Sequence, residues 1–219
     1  MAQTRVGVRR PGIRDGLLAY YRADGTPIDQ TGNGHDLTLI NGTTYDTGKI
    51  NQGFKFDGVN DYVQYTGDVG ITGDFTVSGW VYKNNTGTAC FFQTPNFGSN
   101  GSMGFTFQFT SIILYAFKTN GGYLSQSLTI GNNVWRHVAF AWNESTKLLN
   151  MYMDGNLISA GTTTFTDCTS LGFVNGFILS RRTSSQFLNG NMDEIGIWNR
   201  ELTPTEVSQL YNSGNGKQK

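Results

Sequence analysis

A chain of 219 residues with zero formal net charge, 37% hydrophobic and 15% charged residues, fits one globular domain and is not disordered. That charge balance excludes a chain built to grip nucleic acid or an anionic membrane as a whole. No apolar run approaches the eighteen or so residues of a membrane span, the densest being Ser111–Phe117.

The first thirteen residues stand apart. Arg5, Arg9 and Arg10 precede Pro11-Gly12 in a stretch without acids, which reads either as a frayed terminus or as an arm that orders on an acidic partner surface. It carries the charges of a signal peptide's first region without an apolar segment behind them, so no secretion signal is expected. The folded unit is expected over residues 14–219.

With 29 glycines, 4 prolines and 13% aromatics, the rest reads as short strands joined by glycine turns. GLLAYY from Gly16 is apolar enough for a first buried strand, and Asp29 to Asp36 is a loop. Period-two alternation marks Gly53–Phe56, Asp61–Tyr65 and Phe75–Tyr82, and is cleanest in Gly104–Phe109. Ile112–Phe117, Val134–Trp142 and Leu148–Met153 follow, and Asp154-Gly155 is a two-residue hairpin turn before Asn156–Ile158. Phe177–Ser180 and Met192–Asn199 complete the set. In the last of these, alternation puts Asp193 on one face with Ile195 and Ile197, and Glu194 on the other with Trp198.

Thr203-Pro204-Thr205-Glu206 is a helix start. Thr203 is the N-cap, Pro204 takes N1, and Glu206 at N3 closes a capping box. Leu202 and Val207 have the spacing of a hydrophobic staple, Val207, Leu210 and Tyr211 form an apolar stripe, and Gly214 is the expected C-terminal stop. About a dozen strands, one helix and no βα alternation give an all-β chain of two packed antiparallel sheets. Cys90 and Cys168 have no CxxC companion, which leaves two free thiols and a disulfide both open.

Taken in order, Thr31-Gly32-Asn33-Gly34, Phe56-Asp57-Gly58-Val59-Asn60-Asp61-Tyr62-Val63, Trp80, Trp135-Arg136-His137-Val138-Ala139, Tyr152-Met153-Asp154-Gly155 and Met192-Asp193-Glu194-Ile195-Gly196-Ile197-Trp198-Asn199-Arg200 resemble the laminin-G-like, pentraxin-type group of concanavalin A-like lectin/glucanase domains. The likeness runs from about Asp15 to Gly214. It implies a jelly-roll β-sandwich of two curved sheets with one short C-terminal helix.

Glycosidases on that fold carry two glutamates and an aspartate at alternate positions of one strand, which aims the carboxyls at one bond. Here the only glutamates are Glu144, Glu194, Glu201 and Glu206, and none has that spacing. Of two histidines, His137 lies in a strand motif, and His35 in the glycine loop. No nucleophile elbow, phosphate loop or metalloprotease pattern occurs, so no enzyme is expected.

Asp29-x-Thr31-x-Asn33-Gly34 resembles the first half of a calcium loop, but Ile40 stands where the bidentate acid belongs. A carboxylate such as Asp193 on a core face must find backbone amides or a cation, or protonate. The resemblance implies one structural calcium tying the early loop to the last strand. Its ligands would be Asp29, Asn33, Asp57 and Asp193, with Asp24 in reserve; backbone amides alone are the alternative.

Two binding roles follow. One is a carbohydrate-binding lectin-like module, free-standing or part of a cell-surface adhesin. Trp80, Tyr82, Tyr115, Tyr123, Trp142 and Trp198 are its candidate stacking aromatics, with Arg181-Arg182 and the loop Thr94–Ser102 as rim. The other is an attachment protein of a phage virion, a capsid decoration or fibre component. Its arm of Arg5, Arg9 and Arg10 would lie on neighbouring subunits, in a homo-oligomer or among other virion proteins. The virion surface is the expected location if the chain is phage-encoded, otherwise the cytoplasm or a leaderless export route.

Overall fold

The computed structural model describes residues 12–84, 87–99, 102–108, 110–117, 123–158, 163–164, 173 and 175–219. The strands are β1 (Leu17–Tyr21), β2 (Thr38–Ile40), β3 (Thr44–Thr47), β4 (Gln52–Asp57), β5 (Tyr62–Tyr65) and β6 (Phe75–Lys83). Then come β7 (Ala89–Gln93), β8 (Met103–Gln108), β9 (Ser111–Phe117), β10 (Tyr123–Thr129), β11 (Trp135–Asn143) and β12 (Leu148–Met153). The last are β13 (Asn156–Leu157), β14 (Thr163–Thr164), β15 (Phe177–Thr183), β16 (Gln186–Phe187) and β17 (Asn189–Trp198), before helix α1 (Pro204–Tyr211). They form two antiparallel sheets. The nine-stranded sheet runs β13-β12-β11-β6-β17-β4-β3, with β1 on β17 and β14 on β12. The eight-stranded sheet runs β10-β9-β8-β7-β15-β5-β2, with β16 on β15.

Alternation sets the core. Phe75, Val77 and Val81 of β6, Val138, Phe140 and Trp142 of β11, and Phe54 and Phe56 of β4 face Phe91, Phe92, Phe105, Phe107, Phe177 and Leu179 of the other sheet. The Phe105 and Phe140 rings stack across the sandwich with centroids 3.7 Å apart. The β12–β13 turn is the two-residue hairpin expected, with Asp154 and Gly155 both left-handed at φ 51° and 78°.

A second apolar cluster lies outside the sandwich. Leu202, Val207 and Leu210 of the helix region pack on Ala139, Ala141, Tyr152 and Trp198 of the nine-stranded sheet. The capping box is present: Glu206 N donates to Thr203 Oγ1 at 3.3 Å and Thr203 N donates to Glu206 Oε2 at 2.9 Å. Arg200 holds the same Glu206 and reaches back to the carbonyls of Asp15 and Gly12. The helix ends at Tyr211, three residues before Gly214, because Asn212 already adopts the left-handed conformation at φ 50°. Among the described residues no helix is long and apolar enough to cross a membrane.

The last strand departs from simple alternation. Asp193 pairs with Trp80 while Gly196 pairs with Ser78, so β17 carries one extra residue. Glu194 absorbs it at φ 52°. Met192, Ile195 and Ile197 therefore enter the core, and Asp193 turns to the outer face with Trp80 instead of sharing the isoleucines' side.

Leu210→Ala should destabilise the protein by about 2–5 kcal/mol, from lost apolar burial and a cavity. Thr203→Ala should lose about 1 kcal/mol from the cap. Urea unfolding reads both, and an unchanged midpoint for Leu210→Ala would show that the helix does not dock.

Candidate functional site

The candidate site lies on the outer face of the eight-stranded sheet. In β8, Met103, Phe105 and Phe107 point to the core, so Gly104, Thr106 and Gln108 face out. Tyr115 of β9 lies directly beside Gly104. A one-residue irregularity in β7 lets Phe91 and Phe92 both enter the core and places Gln93 next to Gly104.

The loop after β7 folds back over this face. Thr94 N donates to Met103 O at 3.0 Å and Met103 N donates to Thr94 Oγ1 at 3.2 Å. Phe97 is thereby laid on Gly104, where a Cβ would meet its ring at 2.5 Å. Only glycine leaves that space. Phe97 meets Tyr115 edge to face with centroids 6.2 Å apart.

Arg182 of β15 completes the arrangement. Its Cζ lies 5.7 Å from the Phe97 ring centre and 5.6 Å from that of Tyr115. Its Nη1 donates to Gln186 Oε1 at 2.9 Å, whereas its buried Nε has no partner among the described residues. Gln93 Oε1 below is also buried and unpaired among the described residues. On the other side Gln108 Nε2 donates to the Tyr115 hydroxyl at 2.8 Å, and Arg181 stacks over Tyr62 at 4.3 Å. Neither arginine has a carboxylate partner among the described residues.

Of the aromatics expected to stack on sugar, Trp80, Trp142 and Trp198 are buried, and Tyr123's side chain lies outside the described residues. Trp142 is core, Trp198 lies under α1 with its Nε1 donating to Ile13 O at 2.7 Å, and Trp80 is covered by Tyr211 and Lys49. Tyr82 and Tyr115 remain half-exposed. The rim elements Arg182 and the 94–99 segment do meet. Phe97 was missed, although an aromatic between Asn96 and Gly98 in a polar loop was its signal.

The four residues expected to share a calcium do not form one ligand set. Asp29 accepts from the amides of Tyr20 (3.0 Å), Thr31 (3.0 Å) and His35 (3.3 Å), stapling β1 to the early loop. Asn33 Nδ2 donates to Leu18 O at 2.9 Å. Asp57 caps its own turn through the Val59 amide at 2.8 Å. Asp193 accepts from Ile50 N at 2.8 Å and Glu194 N at 2.7 Å, so amides satisfy it. Among the described residues no three His, Cys, Asp or Glu side chains are grouped to hold a metal. The arm residues Arg5, Arg9 and Arg10 lie outside the described residues, as does Cys168; Cys90 is a buried free thiol whose pKa burial raises.

Neither Asp193 nor His137 stands ready for acid–base work. Burial pushes Asp193 up to about 7, and its position under the Gly48–Asn51 turn seals it. Burial, then the Lys219 charge, pushes His137 down to about 3; its Nε2 is 2.9 Å from Ser78 Oγ and its ring lies against Trp80. Glu194 is also sealed: its carboxylate takes the Tyr20 hydroxyl, and Lys219 Nζ donates to its carbonyl at 2.6 Å.

Residues 57–208 match the laminin-G-like family model of the concanavalin A-like lectin/glucanases superfamily. The chain belongs to that family. No curated protein sequence matches it. Similar folds include the binding domain of Paraclostridial Mosquitocidal Protein 1 (TM-score 0.75, 17% identity, 93% of this chain and 53% of that one). Domain 4 of AbnA, an extracellular arabinanase of Geobacillus stearothermophilus, solved with arabinotriose, gives 0.73 at 19% identity over 89% and 98%. The botulinum neurotoxin DC binding domain, solved with SialylT, gives 0.74 at 15% identity over 92% and 52%. This chain spans about half the length of the toxin domains it matches.

A raised acid adds stability that is lost as pH climbs from about 4 to about 7, and a depressed histidine adds stability that is lost as pH falls from about 6.5 to about 3. The two slopes oppose each other between about pH 4.5 and 6.5. Asp193→Asn should leave stability rising with pH there and His137→Gln should leave it falling, each by up to about 1.4 kcal/mol per pH unit in urea unfolding. Identical slopes for both variants would contradict the assignment. EDTA should not shift the melting temperature; a drop restored by calcium would show a shared ion.

Proposed function

We propose that this protein is a non-enzymatic glycan-binding module whose ligand rests on the outer face of the eight-stranded sheet. The observation that carries the reading is the Arg182 guanidinium held between Phe97 and Tyr115 beside Gln108. Ring faces accept the C–H surface of a sugar, while guanidinium and amide bond its oxygens. Buried donors and acceptors without partners cost about 1–3 kcal/mol each, and a polar ligand offsets that at Arg182. Two arginines without carboxylate partners favour a sugar that carries one.

The family supports this reading, as do solved relatives carrying arabinotriose and SialylT. A catalytic role is disfavoured by the carboxylates: Asp193 and Glu194 are each sealed and engaged, and Glu206 is used in the helix cap. Membership of a phage particle is a finer reading, resting on the basic segment with Arg5, Arg9 and Arg10. Deleting residues 1–13 should then abolish particle assembly and leave glycan binding intact.

On a glycan array the protein should bind acidic glycans, more weakly as salt rises. Arg182→Ala should lower affinity about tenfold or more with an unchanged melting temperature. Binding of no acidic glycan, or equal binding by the variant, would overturn the proposal.

A further inference from the structure

The nine-stranded sheet has an outer face too, and α1 covers only part of it. Beyond the helix, one lateral row is set by strand register: Lys55 pairs with Asn191, Asn191 with Tyr82, and Tyr82 with Trp135. At about 4.8 Å per strand the row is about 14 Å long. It forms the floor of an open cleft of about 340 Å³, walled by Asp46, Thr47 and Asn84. That volume is within the range of small-ligand sites.

We infer that this cleft is a second, independent saccharide site, and that it takes an uncharged sugar. The half-exposed Tyr82 and Trp135 rings, centroids 5.7 Å apart and tilted by 53°, make an aromatic wall for a sugar's C–H face. The polar side is pre-set. Asn191 Nδ2 donates to Thr47 O at 3.3 Å, Lys55 Nζ is 3.5 Å from Asn191 Oδ1, and Asn84 Nδ2 donates to Asn189 Oδ1 at 2.8 Å. These bonds hold amide and ammonium groups at the edge of the rings, where hydroxyls both donate and accept. Lys55 and Asp46 face each other at 3.7 Å, so the rim carries no net charge to select an anion. The Arg182 face lies on the other sheet, and the inference does not depend on it.

The tryptophans supply a direct readout. Of the four in the chain, Trp80, Trp142 and Trp198 are buried and Trp135 is half-exposed. Titrating the full chain with neutral oligosaccharides of arabinose, mannose, galactose, glucose and xylose should shift its tryptophan emission. The shift should persist in Arg182→Ala and vanish in Trp135→Phe, whose melting temperature should stay that of the parent. Tyr82→Ala should weaken binding about tenfold or more by calorimetry. No shift with any of these sugars, a shift that survives in Trp135→Phe, or loss of the shift in Arg182→Ala would each overturn the assignment.

Discussion

The extra residue in β17 determines what the nine-stranded sheet shows to either side. With Glu194 at φ 52°, the alternation resets between Asp193 and Gly196. Met192, Ile195 and Ile197 can then all enter the core without carrying a carboxylate with them. Asp193 emerges beneath the turn that ends at Asn51, where the Ile50 amide meets it. A Cβ on Gly48 would come within 2.7 Å of the Asp193 carboxylate, so the turn and the acid fit each other closely. Glu194 is turned toward Tyr20 and the Lys219 side chain, which ties the first strand and the C-terminal residues to the last strand. This network of amides and side chains joins the Gly48–Asn51 turn, the first strand and Lys219 to the last strand.

The same rule, alternation adjusted by single-residue irregularities, produces the two outer faces. On β7 the adjustment packs Phe91 and Phe92 together inside and leaves Gln93 outside under Phe97. On β15 Ser180, at φ 77°, precedes the two arginines that stack on Tyr62, Phe97 and Tyr115. One face is basic and aromatic. The other, beyond the helix, is aromatic with a self-neutralised polar rim. A fold whose core takes most of the described phenylalanines still leaves half-exposed rings on both sides, which suits the proposed holding of sugars by stacking rather than by enclosure.

Much of the fold was legible because it rests on local patterns. Phe105 and Phe107 alternate with polar neighbours, Asp154-Gly155 needs two left-handed residues, and Thr203 with Glu206 closes a box within one turn. Short strands such as β2, β3 and β16 were not, since two to four residues show no period and exist only through their partners. The side of Asp193 was misjudged for a related reason: a bulge depends on register with a distant strand, not on composition. Trp198 reads as an exposed aromatic until α1 is laid over it. Arg182 and the loop with Phe97 were marked separately as rim, but nothing in one dimension places them against the same Tyr115.

In the proposed function the outer sheet faces, not a catalytic cleft, are where this protein meets its ligand. A crystal structure of the full chain grown with an acidic oligosaccharide from its own array hits tests this most directly. Sugar density is expected against Arg182, Phe97 and Tyr115, with the glycosidic bonds intact. Density for cleaved product, or an intact glycan bound elsewhere with the Arg182 face bare, would contradict it.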